Sequence, residues 1–352
     1  MKLNRGQWSE IYLIFYFIDK KYLECVDFDL NILKNQKYKI NSIIINNDNH
    51  DIKFNLYDFF VEVEKNSKIH CILNYQETTI MRDIIHKNII TKNNEGQFFE
   101  IADFNKWNAE KNIFKDKWIT YKNKSDICLN VTDLKTMDKK TLNYSVKSFL
   151  GGRSSLFNAS INTMFKYQIY NFNDQKMNDV NNFRNVNSLA RTLTLIRKFR
   201  GFIIFEKISS KIFEDNLKKI HKYLPKFLSM MLVESQIYNL KELREIIHFI
   251  CQKYKFEFNL KYFFDFIYCL NFNFLTKQSI EDDQEFGGVI LIYPNQKIYL
   301  LDVSYNKYDL ISFMVRNTSL DVPSSKKFEI GRIYKENENY YINLFLKIRF
   351  KR

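Results

Sequence analysis

The sequence predicts an α/β (α+β) fold, with a mixed-sheet core and a largely helical insertion or second lobe. Three observations carry this reading. Two β-rich segments, 125–131 and 143–148, flank a polar tip from Thr132 to Thr141 and read as an antiparallel hairpin. The run Ile11-Tyr12-Leu13-Ile14-Phe15-Tyr16-Phe17-Ile18 is apolar on every face and reads as a buried helix. From about 181 to 275 the pattern turns mostly helical, and β character returns at 286–304.

The elements follow in order. Asn4, Arg5 and Gly6 precede Trp8-Ser9-Glu10 at the start of the first helix. Glu10 shares a stripe with Ile14 and Phe17, so it points partly inward, where a carboxylate must be paired, hydrogen-bonded or metal-bound. A plain acid complementing the helix dipole is the competing reading. Segments 37–46, 52–64, 68–74 and 97–101 suggest short strands with one or two helices among them, and 78–90 a helix presenting Arg82, His86 and Lys87. Folded near residue 136 or 137, the hairpin brings Asp126 opposite Ser145 to Lys147. Gly151 and Gly152 then release the backbone into a loop of Arg153, Ser154, Ser155 and Asn158. Such a loop either approaches a phosphate through N–H groups and hydroxyls or simply links a strand to a helix. A strand at 163–170 precedes candidate helices at 211–223, 225–238, 240–254 and 260–271, with Pro225 in the first turn of the second. Their lysines read as solvated faces. Gly287-Gly288 opens a β segment with a turn at Pro294-Asn295, and a β pair at 328–335 and 340–350 ends the chain.

A chain of 352 residues with 45% hydrophobic content can bury a large core and is expected to form two packed lobes. The expected segments are 1–175, with the core and the hairpin; 176–285, mainly helical; and 286–352, β-rich and a candidate for recognition. Only 8 Gly and 3 Pro leave little room for a flexible linker.

Lys and Arg total 54 against 40 Asp and Glu, a formal net charge of +14 that points to a polyanionic partner, most simply nucleic acid. An AT-biased, Lys- and Asn-rich composition accounts for part of that excess. The five cysteines are scattered, odd in number and set in apolar segments, as reduced core residues of a cytosolic protein are. None forms a C-x-x-C pair and the histidines lack ligand spacing, which argues against structural zinc. The apolar run at 11–18 is too short to span a bilayer and lacks the small-residue cleavage site of a signal peptide, so no membrane and a cytoplasmic location are expected.

The chemistry lies in the hairpin. A carboxylate beside a lysine at a hairpin end is what a Mg²⁺-dependent phosphodiesterase needs: the acid holds the metal, and the ammonium sits near the attacking water or the strained phosphate. Solvated strand-end charges are the plain alternative. Asp126 with Ser145-Val146-Lys147 resembles the Asp…(Asp/Glu)-x-Lys core, PD-(D/E)xK, of the restriction-endonuclease-like nucleases, with Ser145 where a second acid usually stands. Arg5-Gly6-Gln7-Trp8-Ser9-Glu10-Ile11-Tyr12 resembles the K-G-E-W-S-E-x-Y opening of the HpaII-type type II restriction endonuclease family. Ser125-Asp126-Ile127, Tyr144 to Ser148 and Leu156 to Ser160 match that family in order and spacing. Gly287 to Ile290, Asn317-Thr318 through Pro323-Ser324-Ser325, Gly331 to Glu336 and Leu346 to Phe350 do so too. The resemblance thus spans the whole chain, while 25–120 and 175–285 carry no matched motif.

The resemblance implies a type II site-specific deoxyribonuclease of a restriction-modification system, cutting both strands of DNA at a short palindrome, CCGG for the namesake. Its cofactor would be Mg²⁺, held by Asp126, Glu10 and the carbonyl of Val146, with Lys147 acting on the water or the phosphate. Hydrolysis would take one step, with no serine nucleophile, since no histidine lies near Ser145 in sequence. Candidate DNA contacts are Arg153, Ser154, Asn158, Arg316, Asn317, Ser324, Ser325 and Lys326. Arg153 and Arg316 suit guanine O6 and N7, whereas the hydroxyls and Lys326 suit phosphates. Implied partners are double-stranded DNA, a second copy in a homodimer and a cognate DNA methyltransferase. Gln7 departs from the family's usual acid, and Phe345 and Lys347 replace polar residues in the last strand. The rival readings are a nicking or repair nuclease of the same fold, and a non-catalytic DNA-binding protein that has kept it.

Overall fold

The computed structural model describes residues 1–46, 51–92, 98–114, 126–183, 188–255, 260–271, 286–323 and 330–351. Ser125, Ser324, Ser325 and Lys326 therefore lie outside the described residues. The chain divides into two compact units, Met1–Ser154 with Asp282–Phe313, and Ser155–Glu281 with Met314–Arg352.

In chain order, β1 (Lys2–Leu3) and α1 (Arg5–Lys20) come first, then β2 (Tyr22–Val26), β3 (Ile32–Asn46), β4 (Asp51–Leu56), β5 (Val61–Lys65) and β6 (Lys68–Leu73). Next are α2 (Tyr75–Thr91), β7 (Phe99–Glu100), α3 (Ala102–Lys111) and the hairpin β8 (Ile127–Asp133) and β9 (Lys139–Ser148). There follow β10 (Ser155–Phe157), β11 (Met164–Tyr170), α4 (Asp174–Asn182), α5 (Ser188–Lys198) and β12 (Phe202–Ile208). Then come α6 (Lys211–Ile220), α7 (Leu224–Ile237), α8 (Leu243–Tyr254) and α9 (Leu260–Cys269). The last elements are β13 (Phe286–Ile292), β14 (Ile298–Asp302), α10 (Val303–Asn317), β15 (Thr318–Leu320), β16 (Ile333–Glu336), β17 (Asn339–Phe345) and β18 (Ile348–Phe350). The fold is mixed α/β.

The first unit is built on a nine-stranded sheet in the order β2-β14-β13-β9-β8-β3-β4-β5-β6. The β8–β9 hairpin stands at its centre, antiparallel within itself and parallel to β13 on the far side of β9. Because β2 also pairs with β3, the six strands from β2 to β3 in that order close on themselves. The fifteen-residue β3 makes this possible, pairing with β2 through Tyr38 and Lys39 and with β4 through Ser42 to Asn46. Strand pairing places Ile127 opposite Tyr144, so Asp126 falls beside Ser145, where the folded sequence puts it. The turn is tighter than the sequence suggests. Asp133 Oδ1 accepts from the amides of Lys135 and Thr136, ending β8 there.

Helix α1 is apolar all round because it is buried all round: Trp8, Ile11, Tyr12, Leu13, Phe15, Phe17 and Ile18 have no exposed surface. Asn4 caps it in a box with Gln7, the side chain of each accepting from the other's amide. That box gives Gln7 a structural role at N3, where Gln and Glu serve alike. The helix shares its core with Ile127, Leu129, Leu142 and Tyr144 of the hairpin and Ile290 and Ile292 of β13. In α2, His86 is not presented to solvent but buried against the Tyr12 ring.

The second unit holds α4 to α9, a sheet in the order β12-β11-β17-β16 and another in the order β10-β18-β15. This two-unit division differs from the three sequence segments. Residues 155–170 group with the helices, and the final strands pair with β11 and β10 instead of returning to the first sheet. In that sheet the flank of β14 is already taken by β2. Strand β12, inside the stretch expected to be helical, is a short apolar run that periodicity does not separate from helix.

Candidate active site

The central hairpin sets the geometry. The amide of Asp126 donates to the carbonyl of Tyr144 at 2.9 Å, extending the β8–β9 ladder by one bond. Its carboxylate then turns back onto β9: Oδ2 accepts from the amide of Val146 at 2.7 Å and from the hydroxyl of Ser145 at 3.1 Å. These two bonds fix the orientation of the carboxylate. In an extended strand the amide and carbonyl of one residue leave on the same side, so the Val146 carbonyl faces the edge that Asp126 occupies.

Lys147 follows. It lies beside Leu291 of β13 and is only 6% exposed. Burial pushes its pKa below the ordinary lysine value, while the charges of Asp126 and then Glu10 act in the opposite direction. An ammonium is rarely buried unless it is paired, and its counter-charges here are two acids far apart in sequence. Glu10 is half-buried on α1 and its charge acts on Lys147; it lies beyond the first turn of the helix, which holds no acid to complement the dipole.

The residues before Glu10 anchor the helix to the strand. Ser9, with no exposed surface, donates to the carbonyl of Arg5 at 2.8 Å, and its oxygen lies 2.8 Å from the Ser148 hydroxyl. The Arg5 guanidinium donates to the carbonyls of Gly151 and Lys92. A Cβ on Gly151 would fall 1.6 Å from Arg5 Cδ, so any side chain there would displace Arg5 from this path. The Gly151 carbonyl thus serves helix anchoring. Sequence reasoning missed Arg5, Ser9 and Ser148, although all three lie in the matched blocks.

Among the described residues no three His, Cys, Asp or Glu side chains cluster as a metal site. The oxygen donors that would be offered are the two acids that act on Lys147, Asp126 and Glu10, with the Val146 carbonyl. Such a set fits Mg²⁺, which takes one or two carboxylates and completes its shell with water and substrate phosphate oxygens.

The candidate DNA contacts are divided between the units. Arg153 and Ser154 end the first stretch of the first unit, Arg153 being exposed after Gly152, whose φ is +137°. Asn158, Arg316 and Asn317 belong to the second unit, with Asn158 and Arg316 exposed, the latter in the last turn of α10. Lys347 is engaged with Asp321 at 2.6 Å, and Arg349 lies 3.6 Å from the same carboxylate. A cleft of about 750 Å³ in the second unit is lined by Tyr167, Arg197, Phe205, Lys226, Glu234 and Tyr254. Its buried acid is already matched, since Glu234 accepts from Arg197, Lys253 and Tyr254 at 3.0, 2.7 and 2.6 Å and ties α5, α7 and α8 together.

All five cysteines are free thiols, and no helix among the described residues is long and apolar enough to cross a membrane.

A model of the HpaII restriction endonuclease family matches residues 4–350. The type II restriction enzyme HpaII of Haemophilus parainfluenzae is 27% identical over 368 aligned positions, covering 99% of this chain and 98% of that enzyme. No solved structure matches the chain. The protein is a type II site-specific deoxyribonuclease, a restriction endonuclease acting on DNA. Within that class, it belongs to the HpaII restriction endonuclease family.

Proposed function

We propose that the enzyme hydrolyses both strands of DNA at a short palindrome in a Mg²⁺-dependent reaction, with CCGG the sequence suggested by its family, and that the β8–β9 hairpin is a PD-(D/E)xK-type core. The observation that carries the site is Lys147, buried on the central strand under the influence of Asp126 and Glu10. An enzyme has little reason to bury an ammonium beside two carboxylates unless the cluster handles charge that arrives with a ligand.

Asp126 and Glu10, with the Val146 carbonyl, would hold the cation. A bound divalent ion supplies charge neutralisation at the scissile phosphate and makes a coordinated water more acidic. The chain's own part is positioning. The Val146 amide and Ser145 hydroxyl keep the Asp126 carboxylate in one orientation. The charges of Asp126 and Glu10 oppose the burial that depresses the Lys147 pKa, and its Nζ would donate to the attacking water or to the charge that grows on the phosphate. Ser145 stands where the motif has its second acid, and its hydroxyl donates to Asp126. Glu10, reaching in from α1, makes up the missing charge.

In recognition, Arg153 and Arg316 would read guanine edges in the major groove, and Ser154, Asn158 and Asn317 would make polar contacts that set register. Ser324, Ser325 and Lys326 are assigned phosphate contacts from sequence alone. A homodimer acting in the cytoplasm, with a cognate methyltransferase protecting host sites, completes the proposal.

Asp126→Ala and Lys147→Ala should each lower the single-turnover cleavage rate on the order of 10³-fold, the cost of several kcal/mol of charge stabilisation, while DNA binding in Ca²⁺ survives. An Asp126→Ala enzyme that cuts at the parent rate would remove the site from this position.

A further inference from the structure

We infer that Ser9 and Ser148 form a hydroxyl clasp that positions the two halves of the active site. The inference rests on the reading of Glu10 and Lys147 given above. Glu10 lies on α1 and Lys147 on β9, so their approach depends on how helix and strand are locked together. Ser9 immediately precedes Glu10, and Ser148 immediately follows Lys147.

The proton directions can be assigned. The single proton of Ser9 goes to the Arg5 carbonyl at 2.8 Å, so the 2.8 Å contact between the hydroxyls needs Ser148 to donate to Ser9. Ser148 Oγ in turn accepts from the amide of Leu150 at 3.3 Å. A directed chain results, from the Leu150 amide through Ser148 and Ser9 to the Arg5 carbonyl, and successive bonds of this kind polarise one another. Arg5 closes the circuit, because its guanidinium donates to the carbonyl of Gly151, next to Leu150. The end of β9 and the first turns of α1 are therefore joined twice. Core packing alone would let the helix slide or rotate slightly, and such shifts matter at a site where an acid must face a buried lysine.

Ser9 and Ser148 touch no substrate in this account; they are positioning residues. Ser9→Ala and Ser148→Ala should each lower the single-turnover rate, or raise the Mg²⁺ concentration for half-maximal cleavage, by about 10-fold or more, as losses in the support of metal ligands do. Binding to DNA without metal should hold, and the melting temperature should fall by only about 2–4 °C. The double variant should be no worse than either single one, because both remove the same contact. Ser148→Thr, which keeps a hydroxyl, should restore most of the Mg²⁺ response. Parent-like rates and Mg²⁺ dependence in both alanine variants would overturn the clasp, as would single losses that add in the double variant, or activity lost only in step with the fold. Glu10→Gln separates the two levels: if it cleaves like the parent, the assignment of Glu10 fails, whereas a crippled Glu10→Gln beside fully active serine variants rejects the clasp alone.

Discussion

Under the proposed mechanism, Lys147 is the residue at which stability and chemistry oppose each other. Its folded-state pKa is depressed by burial, with Asp126 and Glu10 only partly offsetting the effect. At any pH below that depressed value the ammonium costs folding free energy, and the cost disappears as pH rises past the unfolded lysine value of about 10.4. Replacing Lys147 by Met should therefore raise the melting temperature at neutral pH while abolishing cleavage, and the gain should shrink as pH approaches 10. Melting curves of both proteins across that pH range check it; a Met variant less stable at pH 7 would mean that the ion pairs outweigh desolvation. The placing of Asp126 beside Ser145 and Val146 was legible in the sequence because antiparallel register is simple arithmetic once a hairpin is recognised. The anchoring by Arg5 and Ser9 was not, since their partners lie more than a hundred residues away, at Gly151 and Ser148.

At the scale of elements, β9, which carries the proposed site, depends on its parallel neighbour β13, and β13 depends on Gly288. That glycine has φ of +141°, and a Cβ there would sit 2.1 Å from the carbonyl oxygen of Leu301 on β14. The clash is with backbone, which cannot swing away. Gly288→Ala should destabilise the protein on the order of 3 kcal/mol, read as a lower urea midpoint with an unchanged slope. A midpoint within error of the parent would show that the sheet yields locally. Most elements could be read from the sequence: the all-apolar α1, the hairpin, and β13 and β14 around Pro294-Asn295. Strand partners could not. The closure of the sheet rests on pairing Leu300 with Cys25 and Tyr38 with Leu23, and periodicity carries no record of such distant contacts. The final strands were likewise legible as strands, but their place beside β11 was not.

For the molecule as a whole, the net charge of +14 predicts binding to any duplex that weakens steeply with salt. Specificity must come from fewer residues. If Arg316 reads a guanine, Arg316→Ala should lose about 1–3 kcal/mol of preference for cognate over random duplex and leave non-specific affinity and its salt slope nearly intact. An equal loss on both duplexes would reassign Arg316 to a phosphate. The division into two units, with the chain leaving and re-entering the first, was only partly legible: the second unit takes in β10, β11 and the last strands along with the helices.

The central claim is that the Asp126–Lys147 hairpin makes a Mg²⁺-dependent, site-specific double-strand cut. Digestion of a plasmid in Mg²⁺ followed by run-off sequencing of both strands, with Asp126→Ala alongside, tests it most directly. The account predicts paired stops on both strands at one short palindrome, and none with the variant or without a divalent cation. Stops on one strand only, or the same paired stops from Asp126→Ala, would contradict it.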